Sequence, residues 1–400
     1  MLAYNEAVAR VLESVCPLPP AEKLLPEVHT GQILAETAFA RLDLPRAATA
    51  TMDGFAFAHA SLNIGTPLQI VGFVPAGGNF NRHLGLSEAV RIMTGASLPA
   101  GCDTVVPLEQ AEQQDDRLRL ATSPALGDYV RQRGDDFSRG DQILAAGTIL
   151  DSGAIGLLAA AGVLQLKVYP RPKVAILSTG DELAPLTDLP QPDKIINSNA
   201  YMLAARLREE GIEPVLLGIA GDSVAHLEDQ LQQGLDADLL LTIGGTSTGD
   251  LDLVQTAFNN LGFSEVFWKV AIKPGKSVLF GLIGSLPVFG LPGNPSASAT
   301  TFELFVRPAL QRLSGFCNPL APQLKVKLAV GVTGGGKRQQ FFWGKLKIVS
   351  GRLHFFPTKQ QQRSQFYDLL GGHALLPVPI DNPVLPAGSE VEVILLRSLD

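Results

Sequence analysis

Cysteine is scarce in this 400-residue chain: only Cys16, Cys102 and Cys317 occur, isolated in apolar or turn contexts. They read as buried or incidental thiols rather than as metal ligands. The six histidines are scattered, with no HxH or HExxH spacing, which argues against a zinc site. No dense basic run occurs, and a net charge of −7 with a pI near 5.5 argues against nucleic acid or an anionic membrane as the main partner. Long apolar runs are missing too. The longest, Ala154 to Leu166, is interrupted by Gly156 and Gly162 and is too short to span a bilayer. The first residues do not read as a signal peptide, because Glu6, Arg10 and Glu13 interrupt Tyr4, Ala7, Val8, Val11 and Leu12 in the pattern of an amphipathic helix. No internal repeat or low-complexity tract is present. These absences leave a large cytoplasmic enzyme of about two to four domains.

What is present is most informative between Asp238 and Asp252, where DLLLTIGGTSTGDLD carries an apolar strand straight into a glycine-rich turn ending in carboxylates. Leu239, Leu240, Leu241 and Ile243 read as a strand buried on both faces of a parallel sheet, whose carboxyl ends open onto a ligand crevice. Gly244, Gly245 and Gly249 can take positive φ and form a nest for phosphate-like oxygens. Asp250 and Asp252 add negative charge beside that anion site, which a divalent cation would reconcile. The alternative reading is a β-to-α turn whose Asp or Thr caps the next helix.

The pattern repeats. KVAILST (Lys173 to Thr179) ends in Gly180-Asp181-Glu182, and PVLLGIA (Pro214 to Ala220) ends in Gly221-Asp222. Between them, helical spacing follows the candidate caps Asn197-Ser198-Asn199 and Asp222-Ser223. Strands alternating with helices of this length predict right-handed βαβ units and one parallel sheet, with all three acidic turns on its carboxyl edge. EVFWKVAIKPGK (Glu265 to Lys276) then supplies cations. Read as one strand, it places Lys269 and Lys273 on one face about 13 Å apart, with Lys276 after the Pro274-Gly275 turn. Leu291-Pro292-Gly293-Asn294-Pro295-Ser296 precedes a helical run, and Asn294 and Ser296 either cap it or border a further anion site. Carboxylates for a metal, lysines for oxyanions and a glycine nest suit phosphoryl or other oxyanion chemistry, with no nucleophile demanded.

Six motifs in register resemble the series of the MoeA family, the molybdopterin molybdenumtransferases that include the gephyrin E domain. They are TMDGFAF (Thr51 to Phe57), MTGASLP (Met93 to Pro99), STGDEL (Ser178 to Leu183), GGTSTGDLD, IKPGK (Ile272 to Lys276) and GLPGNP (Gly290 to Pro295). The resemblance implies insertion of molybdate into adenylylated molybdopterin with release of AMP, assisted by Mg2+. Carried over, it implies that Glu182, Asp222, Asp250 and Asp252 hold or orient magnesium and the phosphates, and that Lys269, Lys273 and Lys276 bind pyrophosphate or molybdate oxygens. It further implies that Gly244, Gly245, Ser247, Gly249, Pro292, Gly293 and Asn294 line the substrate. Asp53 and Thr94 would enter from another domain, of the partner subunit in a homodimer; without the resemblance they read as a turn and a strand end. A molybdopterin adenylyltransferase upstream and molybdoenzyme chaperones downstream are the implied partners, with neither nucleic acid nor membrane.

The implied architecture is multidomain α/β. Residues 1–45 with 131–170 form an elongated discontinuous N-terminal domain, 46–130 a β-rich insertion, 171–320 a central parallel-sheet molybdopterin-binding domain, and 321–400 a C-terminal β-barrel-like domain. The chain departs from the family pattern at Trp343, where an arginine contact is expected. Arg338 or Arg363 would replace it, and Ser364 stands near a site serine, although a solvated loop is the alternative for Arg363 and Ser364. Two other functions share features with the chain. Molybdopterin adenylyltransferases share the sheet and its glycine turn but are little more than that domain; a gephyrin-like dimeric scaffold would not need three acidic turns facing three lysines.

Overall fold

A computed structural model of the chain describes every residue except 64, 188–191, 222, 246–250, 359–365, 382–383 and 398–400, and the side chains of 251 and 252. The protein is a multidomain α/β chain that falls into two compact units, Met1–Ala21 with Tyr169–Asp400, and Glu22–Val168.

The first unit is built on six strands: β1 (Val174–Thr179), β2 (Pro214–Ala220), β3 (Leu239–Ile243), β4 (Phe263–Trp268), β5 (Leu279–Ile283) and β6 (Leu286–Leu291), in the order β2-β1-β3-β6-β5-β4. Strands β2, β1, β3 and β6 are parallel. The sheet is not wholly parallel as the sequence suggests, because β5 runs against both neighbours. Only Gly284 and Ser285 join β5 to β6, and so short a connection can link only antiparallel strands. Reversing twice, the chain in β4 again points the same way as the parallel four.

Strands β1, β3 and β6 are buried along their whole length. Their side chains divide by period two between two cores. Val174, Ile176, Leu239 and Leu241 pack with Leu203 and Leu207 of the Ser198–Glu209 helix and with Phe302 and Phe305. Ala175, Leu177 and Leu240 pack on the opposite face with Leu227 and Leu231 of Val224–Gln233, and with Val254, Ala257 and Phe258 of Leu251–Asn260. The amphipathic helix expected at the chain start is Tyr4–Ser14, and its Ala7, Val8 and Val11 join the first of these cores. The first residues therefore group with the sheet rather than with 131–170, since that is where this apolar stripe is covered; Tyr4 meets Phe305 and Phe341 edge-on, ring centres 5.9 and 5.1 Å apart.

Five strands close a barrel at the end of the chain: β7 (Gln323–Leu328), β8 (Gln339–Val349), β9 (Arg352–Pro357), β10 (Ala374–Val378) and β11 (Glu390–Leu395). The ring runs β8-β9-β7-β11-β10 and returns to β8, enclosing Val326, Leu328, Leu346, Phe355, Leu376 and Val393. A buried ion cluster ties it to the sheet. Arg206 and Glu303, 5% and 4% exposed, pair at 2.6 Å, and Arg206 also reaches Glu210 at 2.6 Å and the Leu396 carbonyl at 3.4 Å. Trp343, 4% exposed, donates its indole N–H to Thr300 Oγ1 at 2.9 Å.

In the second unit, Leu34, Ala38 and Ala40 share a core with Phe137, Leu150, Leu158 and Val168, and the Ser152–Ala160 helix begins on an Asp151 side chain that accepts from the Ala154 N–H. The β-rich segment forms a six-stranded sheet around Gly54–Phe57, which pairs antiparallel with Glu88–Ile92 and Thr104–Pro107. Alternate residues again feed two cores: Ala56, Val90 and Val105 on one side, Phe55, Phe57 and Val106 on the other.

Candidate functional site at the carboxyl edge of the sheet

Register brings the predicted turns together. Thr179 pairs with Ala220, Ser178 with Ile243, and Ile243 with Leu291, so four parallel strands end at nearly one level. Immediately beyond them stand Gly180-Asp181-Glu182, Gly221, Gly244-Gly245 and Pro292-Gly293-Asn294. Among the metal ligands expected from the sequence, only Glu182 has a described side chain. Asp222, Asp250, Ser247, Gly249, Arg363 and Ser364 lie outside the described residues, as does the side chain of Asp252. Among the described residues no three histidine, cysteine or acidic side chains converge on one point.

The glycines are required by geometry. Gly244 and Gly245 have φ of 94° and 60°, as the nest reading expects. A Cβ on Gly244 would stand 2.5 Å from the Thr179 carbonyl oxygen, and one on Gly245 2.5 Å from Val254 Cγ2. The Gly244 N–H is committed to the Leu291 carbonyl at 3.0 Å and so is not one of the uncovered amides of the turn. Gly245 and Gly293 have no acceptor for their N–H among the described residues. Glu182 folds back over Gly180, where an added Cβ would meet its carboxylate.

Side chains not anticipated as site elements pin these turns. Lys194 Nζ donates to the Asp181 carbonyl, and the Gly221 N–H donates to His226 Nδ1 at 3.1 Å. Asn197 occupies the N-cap of its helix, yet no helix N–H reaches its side chain; Oδ1 accepts from the buried Ser178 hydroxyl at 2.9 Å. Asn199 Nδ2 donates to the Gly293 carbonyl at 2.6 Å. The only hint in the sequence is the presence of more capping residues than one helix start needs. Asn294 caps as expected, accepting from the Ala297 N–H at 3.3 Å and from the Ser296 hydroxyl at 3.0 Å.

The lysines reach this region by a different route from the one their spacing suggests. Because β4 runs with the parallel strands, Lys269 emerges at the same edge, and its Nζ sits 3.3 Å from the centre of the Trp268 ring. Lys269 and Lys273 do not share one strand. Lys269 has φ 69°, which breaks the extended run, and Val270 and Ala271 bond to Lys276 and Leu2 instead. Ile272–Lys273 then adds parallel to β8, pairing with Gln339 and Gln340. Gly275 lies against Thr301 and Ala297 of the Pro295–Thr301 helix, which places the Lys276 turn beside the helix that Asn294 starts. Arg338 points its guanidinium toward the Ile272 carbonyl at 3.5 Å, next to exposed Lys273. Trp343 is a packing residue joining barrel to sheet.

In the second unit the structure joins Asp53 and Thr94: the Thr94 hydroxyl and N–H both donate to Asp53 Oδ1, at 2.6 and 2.7 Å. Hydrogen bonds from the hydroxyl first and the amide second hold the Asp53 carboxyl below its ordinary pKa.

The whole chain matches one family architecture. Residues 2–162 match the MoeA N-terminal region (domain I and II), 175–312 the probable molybdopterin binding domain, and 325–396 the MoeA C-terminal region (domain IV). The chain belongs to the MoeA family. It is 35% identical over 377 residues to the molybdopterin molybdenumtransferase of a Nostoc species, covering 92% of this chain and 86% of that one. It is 33% identical over 375 residues to molybdopterin molybdenumtransferase 2 of Mycobacterium tuberculosis, covering 91% and 92%. A crystal structure of the molybdopterin biosynthesis MoeA protein from Pyrococcus horikoshii superposes with a TM-score of 0.86 at 28% identity over 100% of both chains. MoeA-type relatives of full length, rather than single-domain ones, are therefore the frame for its chemistry in molybdenum cofactor biosynthesis. Among the described residues no helix is long and apolar enough to cross a membrane.

Proposed function

We propose that the carboxyl edge binds adenylylated molybdopterin and molybdate, transfers the metal to the dithiolene and releases AMP. The observation that carries this reading is the common level of four strand ends, which sets the Gly244-Gly245 and Pro292–Asn294 turns beside Glu182 and on the side of the sheet where Lys269 emerges. Backbone amides at Gly245 and Gly293 would bind phosphate oxygens. Lys269, Lys273 and Lys276 would hold molybdate or pyrophosphate oxygens as water or a molybdate oxygen attacks the phosphoanhydride and charge builds on the transferring and leaving groups. Electrostatic stabilisation suffices, with no covalent intermediate on the protein.

Carboxylate oxygens are hard donors that suit magnesium, and the exposed Glu182 carboxylate at the strand ends fits that role. Glu182 with Asp222, Asp250 and Asp252 would hold the ion, whose charge, when bound, offsets that of the phosphates. In a cytoplasmic homodimer, a second copy of the chain would supply Asp53 and Thr94. Asp53 stays ionised through its two hydrogen bonds from Thr94 and would orient substrate rather than exchange protons.

AMP release from adenylylated molybdopterin, followed with and without molybdate and magnesium, tests the proposal. Release dependent on both supports it; a folded protein that releases no AMP under any combination overturns it. Asp222→Ala should abolish turnover while sedimentation still reports the wild-type assembly.

A further inference from the structure

Asn199 is 8% exposed and sits in the first turn of the Ser198–Glu209 helix, yet its side chain makes no cap. A carbonyl oxygen can only accept, so the Asn199 atom 2.6 Å from the Gly293 carbonyl must be the amide nitrogen. Its other atom, Oδ1, is then fixed as a buried acceptor, and it has no partner among the described residues. Buried polar atoms are almost always paired, because leaving one bare forfeits its hydration without return. An amide that satisfies one neighbour at the cost of its own oxygen is held there by that neighbour. The neighbour is the turn after β6, whose Gly293 is exposed and has nothing closer to its Cβ direction than Gly244 Cα, at 3.8 Å. The Gly293 peptide thus has no side chain of its own and little packing to fix its plane, and Asn199 is the one described side chain that grips it.

We infer that Asn199 is a positioning residue: by holding the Gly293 carbonyl it sets the plane of the Gly293-Asn294 peptide, and so aims the Asn294 N–H, which follows the Gly293 N–H in the same turn, toward the substrate's phosphate oxygens. The inference rests on the function proposed above and adds to it a residue that touches the turn and not the reacting atoms.

The test uses Asn199→Asp and Asn199→Ala in the full-length protein. Aspartate keeps the shape, but its carboxylate cannot donate; protonated, it regains an O–H donor at the same position. Two readouts are taken: amide exchange of the 291–295 segment without ligand, and KM and kcat for AMP release from adenylylated molybdopterin. Near neutral pH both variants should exchange faster in that segment and raise KM by roughly 10-fold, with kcat changed much less. As pH falls, Asn199→Asp should return toward the wild-type KM measured at the same pH, while Asn199→Ala should not. Unchanged exchange in both variants overturns the tether. Faster exchange with unchanged KM overturns the link from the tether to substrate. Failure of the proposed function itself is distinguished from both, because the wild type would then release no AMP. If Asn199→Ala fails to fold, the acid-dependent recovery of Asn199→Asp alone decides.

Discussion

Replacing Glu303 with glutamine should destabilise the sheet-and-barrel unit without changing its shape. The carboxylate lies 2.6 Å from Arg206 Nε and 3.3 Å from Nη2, and both residues are almost fully buried. Burial pulls the Arg206 guanidinium pKa down, but Glu303 and then Glu210 outweigh it and hold it above its ordinary value. A raised pKa means that this stabilisation is complete at all pH values below the unfolded arginine range, so the loss in the variant is independent of pH around neutrality. Removing one partner of a buried pair costs about 3–5 kcal/mol, because the surviving charge is left without compensation. Glu210, 2.6 Å from Arg206, retains part of that compensation and argues for the lower end, about 3 kcal/mol. At about 2–4 °C per kcal/mol for a body of this size, the transition should fall by roughly 6–12 °C. The two tryptophans, Trp268 and Trp343, both lie in this unit, so tryptophan emission reports its unfolding and not that of residues 22–168. The paired change Arg206→Met with Glu303→Leu removes both charges and should recover much of the loss. A single-variant shift under about 2 °C, or a pair less stable than the single, would refute the account.

Gly244→Ala should destabilise the same unit by about 1–3 kcal/mol from its positive φ alone, before the clash with the Thr179 carbonyl is added; tryptophan-monitored denaturation measures it. Thr94→Val removes the largest of the causes that depress the Asp53 carboxyl, so the acid limb of AMP release should move to higher pH while the limb on the alkaline side stays. Asp43 is held below its ordinary 3.8 by the Arg139 amide first and by Arg133 second. Its contribution is therefore complete above the unfolded carboxylate range and is lost as pH falls through the lower folded value. Amide exchange in residues 22–168 should be faster in Asp43→Asn at neutral pH, with the gap to wild type closing in acid. Equal exchange at neutral pH would show that the Asp43 bonds hold nothing.

Three strands of the central sheet, β1 to β3, are readable to within a residue, because each is a short β-branched or leucine-rich run that ends at a glycine. Their common edge follows from the βαβ order. The reversed β5 is marked in the sequence by Gly284-Ser285, a two-residue hairpin pair between apolar runs, a signal that the βαβ pattern outweighs; the break at Lys269 is unmarked, because VFWKVAI reads as continuous strand and nothing singles out a lysine for positive φ. Arg206 and Glu303 are 97 residues apart, and Asn199 lies 94 from Gly293; pairings of that range leave no periodic trace. The Asp53–Thr94 contact is foreshadowed by the family resemblance alone, since each residue by itself reads as an ordinary turn or strand end. Trp343 shows the opposite failing: it departs from a family pattern, yet its burial and its bond to Thr300 give it a role in packing that a missing-arginine reading overlooks.

The pairing of Ile272–Lys273 with β8 has a mechanical consequence. Covalently this segment continues from the sheet, but its ladder belongs to the barrel, so Lys273 travels with the barrel wall while Lys269 is fixed to the end of β4. The spacing of the two cations is thus set by how barrel and sheet are joined, and the Arg206–Glu303 cluster, with its bond to the Leu396 carbonyl, is one of the joints.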